Sequence, residues 1–271
     1  MYLIATRAGL FKLTDEENLE KLPYNFNVSD VIINNERFYV CSSEYGVIID
    51  DKKILEEGCW RLWKYNNTIY AFIEGPKIYE IKEDNSANLV LDLTQEAEKM
   101  GWEFPYGPPH ITDVTLFKGL VVATVEEGNL LVGDSIKNLK PINFFADMHN
   151  LLSKEDNLLI ATASGIFTTN DLNKFEKRIG GYAHGIEEIG KFLVAHVMSD
   201  EPLIISRDKG FSWEKVNLRL PRPTFGETAI AKKNDGRIIY STTAIYEVDI
   251  IEKRARELVK EIPTTNRVIR I

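Results

Sequence analysis

The chain has 271 residues, with 41 acidic against 33 basic side chains and a formal net charge of −8. That balance speaks against nucleic acid as a partner, because phosphate-backbone affinity rests on Lys and Arg. Hydrophobic residues at 44% and charged ones at 27% are globular rather than disordered values.

No apolar run approaches the ~20 residues that cross a bilayer, so no membrane partner is expected. The opening MYLIATRAG alternates and is interrupted by Arg7, unlike a secretory signal. Cys41 and Cys59 are too few for a disulfide framework and are read as packing residues of a cytoplasmic protein.

Taken from the N-terminus, residues 3–22 (LIATRAGLFKLTDEENLEKL) reappear as residues 159–178 (LIATASGIFTTNDLNKFEKR), identical at 9 of 20 positions without a gap. The shift of 156 residues is four times 39, and 39 divides the chain very nearly seven times. Weaker copies show an apolar strand, a turn, a second strand ending in a small residue, then a glycine or turn and a third strand. They lie at 39–49, 69–81, 120–132, 192–205 and 238–248, with Asn234-Asp-Gly236 as a hairpin signal. A short helix fits 93–100, and 251–260 reads as a strand or loop.

Residues 1–22 supply only the later strands of a unit, and 266–271 form a lone strand. The expected fold is therefore all-β, a single seven-bladed β-propeller domain. Its C-terminal strand (264–271) completes the N-terminal blade and removes the free sheet edges. The expected blades are 264–271 with 1–22, then 28–58, 59–93, 108–142, 147–180, 183–218 and 225–263.

Residues 206–213 (SRDKGFSW) fit Ser-x-Asp-x-Gly-x-Ser/Thr-Trp at every fixed position. This resembles the Asp-box, or BNR, repeat of sialidase-like and photosystem assembly factor-like propellers. The resemblance implies that Ser206, Asp208, Gly210 and Trp213 brace a turn on the face away from any binding site. A partial copy at 169–175 keeps Asp171 and an aromatic but lacks the glycine, and Thr14-Asp15 is weaker again. Sialidases would bring an arginine triad, a Tyr/Glu nucleophile pair and an early Arg-Ile-Pro segment. The first 40 residues lack that segment. The expectation is the architecture without that catalysis.

Propeller ligands gather where one blade hands over to the next. Those junctions carry Asp30, Arg61, His110, His149, His184, Glu227 and Arg267. Three histidines on consecutive units suit a site for Zn²⁺ or Fe²⁺, or acid–base catalysis with Glu227. No cofactor is otherwise called for. The junctions also hold aromatics, among them Trp60, Phe104, Phe144, Phe145 and Tyr182. In the Pro-stiffened segment 101–109, Trp102 and Tyr106 are expected to be exposed.

The favoured expectation is a non-catalytic binding or assembly module. Its partner is a protein, small molecule or carbohydrate held by Asp30, Arg61, Trp102, Tyr106, Tyr182 and Arg267. The alternative is a hydrolase or lyase, glycosidase-like or metal-dependent, built on the three histidines and Glu227.

Overall fold

The computed structural model describes residues 1–223, 229–234 and 236–271. Glu227, and Asp235 of the hairpin signal, lie outside the described residues. The fold is a seven-bladed β-propeller of seven four-stranded antiparallel sheets.

In the first sheet, Thr265–Arg270 pairs with Tyr2–Thr6 in the register Tyr2↔Arg270 to Thr6↔Thr265, followed by Gly9–Leu13 and Leu19–Lys21. The C-terminal strand thus closes the N-terminal blade. The later blades run from Asp30–Asn34 to Lys52–Leu55, Cys59–Tyr65 to Ala87–Asp92, and Ile111–Phe117 to Lys140–Ala146. Three more run from Met148–Lys154 to Glu176–Gly180, Ala183–Ile189 to Glu214–Lys215, and Ile230–Asn234 to Arg254–Val259.

Each blade carries a fourth strand beyond the three repeated in the sequence. Phe144 and Phe145 fall on such a strand rather than in a junction. The physical reason is burial. Inner strands are covered on both faces and read as apolar runs, as in Tyr2–Thr6 and Gly46–Ile49, which are buried throughout. Outer strands such as Arg254–Val259 have four exposed residues and no apolar signature.

The repeated Ala-Thr-x-x-Gly has a local cause. Thr6 Oγ1 donates to the Gly9 carbonyl (2.7 Å) and accepts from Ala8 N–H; Thr162 does the same with Gly165 (2.8 Å) and Ser164. A Cβ at Gly165 would sit 1.9 Å from the Ile179 carbonyl oxygen, so the third and fourth strands can meet there only across a glycine.

Two compact units divide the chain. One comprises Met1–Asn25 with His149–Ile271, the other Phe26–Met148. In the first, the core lies between successive sheets, for example Leu159, Ile166, Ile186 and Ile204 in one cluster and Tyr2, Ile4, Ile239 and Ile245 in another. In the second, Tyr39, Cys41, Val47, Cys59 and Ile73 form one such layer, and Phe72, Trp102, Ile111 and Leu131 the next.

The cysteines are not separate packing residues. Cys41 and Cys59 form a disulfide between strands of two neighbouring blades. No helix among the described residues is long and apolar enough to cross a membrane. The helix Thr94–Met100 ends at Gly101, whose φ of 69° turns the chain into the 101–110 segment.

Candidate ligand-binding site

Residues 101–110 are held from both ends. Trp102 N–H donates to the Ala97 carbonyl, and its indole Nε1 donates to Asn129 Oδ1 (2.8 Å). Trp102 is therefore a buried anchor, 4% exposed, and not the exposed platform expected. Tyr106, by contrast, is 81% exposed. At the far end, Gly75 N–H donates to the Pro109 carbonyl.

Between these anchors the segment lays Phe104 edge-on against His110 (4.8 Å between centroids) and Trp60 (6.0 Å), with Tyr106 edge-on against Phe104 (5.7 Å). Trp60 stacks flat on His110, 3.8 Å away at an interplanar angle of 14°. Trp60 occupies this place because it is the extra residue of a bulge. Cys59 pairs with Ile73 and Arg61 with Phe72, leaving Trp60 without an opposite number. Its Nε1 is buried with no acceptor among the described residues, a cost of about 1–3 kcal/mol.

The sequence offered no reason to single out Glu126, Glu127 or Asp113. Glu126 lies at the turn from Leu120–Val125 to Gly128–Gly133, at the same end of its blade as His110. Its N–H donates to the His110 carbonyl. His110 Nε2 then lies 2.8 Å from Glu126 Oε2, an ion-pair distance not aligned for a hydrogen bond. The imidazole is nearly inaccessible, its side chain 1% exposed. Glu126 and Asp147 bring carboxylate oxygens within 4.8 Å of each other. Burial pushes the Glu127 carboxyl above its ordinary range, and the negative charges of Asp147, Glu126 and Glu103 push it further. The signal that could have found this turn is its position: the turn after each second strand shares an end with the junction before the first.

Asp30 and Arg61 are largely buried and paired with each other. Arg61 donates to Asp30 Oδ2 (3.3 Å) and Asp113 Oδ1 (2.7 Å), joining three first strands in a buried ion triad. Asp30 also accepts N–H bonds from Leu62 (3.0 Å) and Val31 (2.9 Å). Burial raises its carboxyl, opposed by Arg61 and these two donors.

Within the other unit, His149 and His184 stack 4.5 Å apart, and Tyr182 lies 5.0 and 4.9 Å from them. His184 is another bulge residue, since Ala183 pairs with Val197 and Gly185 with His196. His196, the histidine not singled out, extends the stack at 5.7 Å. His149 Nδ1 donates to the Ala183 carbonyl (2.8 Å), whereas His196 Nε2 accepts from Ala229 N–H (3.2 Å), which requires that nitrogen unprotonated. Arg267 is half-buried in the closing strand opposite Ala5.

The 206–213 turn is built as a brace. Asp208 accepts from Ser212 N–H (2.8 Å) and Ser212 Oγ (2.6 Å) and from Ser206 Oγ (2.8 Å). Ser206 Oγ in turn accepts from Gly210 N–H, and Trp213 Nε1 donates to the Gly210 carbonyl (3.0 Å). The turn at 169–175 reproduces it in part: Asp171 Oδ1 accepts from Asn173 and Lys174 N–H, and Leu172 takes the left-handed backbone that Lys209 takes in the full motif (φ 62° and 63°). Both turns join third to fourth strands, at the other end of their blades from the first-strand starts.

No known protein family and no curated protein sequence matches the chain. Several solved structures resemble its fold. One is a protein from Lactobacillus plantarum, with a TM-score of 0.63 and 12% identity, covering 99% of this chain and 98% of that one. Another is YCF48 from Cyanidioschyzon merolae, with a TM-score of 0.62 and 14% identity, covering 88% and 87%. A third is a catalytically inactive variant of virginiamycin B lyase from Staphylococcus aureus, with quinupristin, at a TM-score of 0.62 and 11% identity, covering 87% and 85%. At such identities the likeness establishes the β-propeller fold and nothing finer.

Proposed function

We propose that this chain is a non-catalytic binding propeller of the Asp-box type, and that Trp60, Phe104, Tyr106, His110, Glu126 and Glu127 form its recognition site. The Asp-box assignment rests on the 206–213 brace and its partial copy. The observation that carries the functional reading is the 101–110 segment. It fixes a largely exposed tyrosine edge-on to Phe104, which in turn meets His110 and Trp60, with the Glu126 carboxylate at His110 Nε2. Rigid aromatic area beside a few oriented polar groups is what recognition of a small molecule requires.

An acid–base role for His110 and Glu126 is the competing reading, favoured by their 2.8 Å contact. It is the weaker one, because Trp60 covers the face of an imidazole already withdrawn from solvent.

The protein has four tryptophans, so 5-fluorotryptophan labelling gives four ¹⁹F signals, and Trp60→Phe identifies the one that matters. Screening small amines, sugars and amino-acid derivatives should yield compounds that move this signal. Their affinity should fall about ten-fold in Tyr106→Ala with the melting temperature unchanged. Binding that ignores both Trp60 and Tyr106 would remove the site from consideration, and turnover of a bound compound that His110→Ala abolishes would establish the enzyme instead.

A further inference from the structure

Four acidic side chains converge where the aromatic segment meets the 126–127 turn. Glu126 and Asp147 bring oxygens within 4.8 Å of each other, and Glu127 feels the charge of Asp147, Glu126 and Glu103. Among the described residues no lysine or arginine forms an ion pair with Glu103, Glu126 or Glu127. The other ion pairs of the same unit, such as Arg37–Asp50 and Lys53–Glu56, show how readily its surface carboxylates find a cation. The His110 ring points Nε2 at this cluster from a fully buried position, without an aligned hydrogen bond. Like charges gathered at a partly desolvated position repel one another unless a cation joins them.

The flanking groups decide which cation. Ca²⁺ takes six to eight oxygen ligands and Zn²⁺ about four from nitrogen, sulfur or oxygen, and neither gains anything from aromatic rings. Here Trp60 and Phe104 pack on His110, whose Nε2 meets Glu126, with Tyr106 against Phe104, and ring faces attract ammonium and guanidinium groups by about 0.5–2 kcal/mol, on top of the carboxylate attraction. A neutral sugar would use the rings but leave the carboxylate repulsion in place.

Building on the recognition site proposed above, we infer that its ligand is a small organic cation. Its ammonium or guanidinium group is held by Glu126 and Glu127, and its carbon skeleton lies against Phe104, Tyr106 and Trp60. Because such a cation favours the ionised form of Glu127, binding releases protons and tightens as pH rises through the raised value of that carboxyl.

Cadaverine and its neutral counterpart 1,5-pentanediol test the charge requirement at constant length, with Ca²⁺ as a third probe and the Trp60 ¹⁹F signal as readout. Cadaverine should shift the signal saturably, and pentanediol and Ca²⁺ should not. Glu127→Gln should weaken cadaverine about ten-fold with its melting temperature no lower, and raising salt should weaken it further. Equal binding of the diol, or of cadaverine to Glu127→Gln, would overturn the cation and leave a binding site. Ca²⁺ binding without cadaverine binding would mark a metal site and overturn it too. If sugars and amino-acid derivatives also leave the signal unmoved, the binding reading falls with it.

Discussion

Breaking the Cys41–Cys59 bond is the perturbation whose size follows most directly from the structure. The bridge closes a loop with a sequence separation of 18 and ties two blades of one unit through fully buried sulfurs. In the chain-entropy treatment a loop of that length contributes about 3 kcal/mol, by restricting the unfolded chain. Unfolding entropy of about 2.1 cal/mol/K per residue, over a chain of this length unfolding cooperatively, converts that into a melting temperature lower by about 5 °C. The assay is a thermal melt of the native protein against Cys41→Ala/Cys59→Ala, with and without dithiothreitol. Reductant should lower the wild-type transition toward that of the double variant and leave the double variant unmoved. A thiol titration in guanidinium without reductant should find none. Two titratable thiols in freshly purified protein, or an unchanged melt in the double variant, would refute the reasoning. A stable bridge would also count against the cytoplasmic expectation, since reducing compartments keep such pairs open.

Other outcomes are equally specific. Deleting residues 264–271 removes the strand that pairs with Tyr2–Thr6 and uncovers Ile4 and Leu13, so the protein should fail to fold or melt far lower; an unchanged melt would break the closure. Trp102→Ala should cost about 3–5 kcal/mol by denaturant titration, because it vacates a core position and strands Asn129. Arg61→Met leaves Asp30 and Asp113 buried without their shared cation and should cost about 3–5 kcal/mol at pH 7, less in acid where a carboxyl can protonate. Asp208 is held below its ordinary range by the Ser212 hydroxyl and N–H groups. Its contribution should be complete above the unfolded value of 3.8 and lost as pH falls through the lower folded value. Asp208→Ala should therefore cost about 1 kcal/mol at pH 7 and progressively less as pH falls through the lowered folded value.

The architecture was legible because propeller geometry writes itself into short-range pattern. Inner strands buried on both faces give apolar runs, and the Thr6–Gly9 and Thr162–Gly165 hairpins need the same residues at the same spacing. Outer strands such as Glu214–Lys215 were invisible because nothing covers them. The site was legible only as positions. His110 stands at a junction, but its neighbours depend on where residues 101–109 settle, and that rests on Trp102 finding Asn129, 27 residues on. Arg61 looked like a ligand group because Asp113, 52 residues away, gives no local sign of being its partner. The disulfide escaped for the same reason: its two cysteines belong to different blades.

The closing strand also sets a timetable. Tyr2–Thr6 leaves the ribosome before its partner strand, with an apolar sequence and one backbone edge unpaired. The segment that covers this edge is made ~260 residues later, roughly 13–50 s at ordinary translation rates. For that interval the nascent chain carries an open β-edge that any other strand can occupy, including Tyr2–Thr6 of a second copy. Joining residue 271 to residue 1, whose backbones already touch through a hydrogen bond from Ile271 N–H to the Met1 carbonyl, and opening the chain between blades would deliver the first blade in one piece. Such a permutant should accumulate less misfolded protein at equal stability, which would separate the hazard of making this fold from the strength of the finished one.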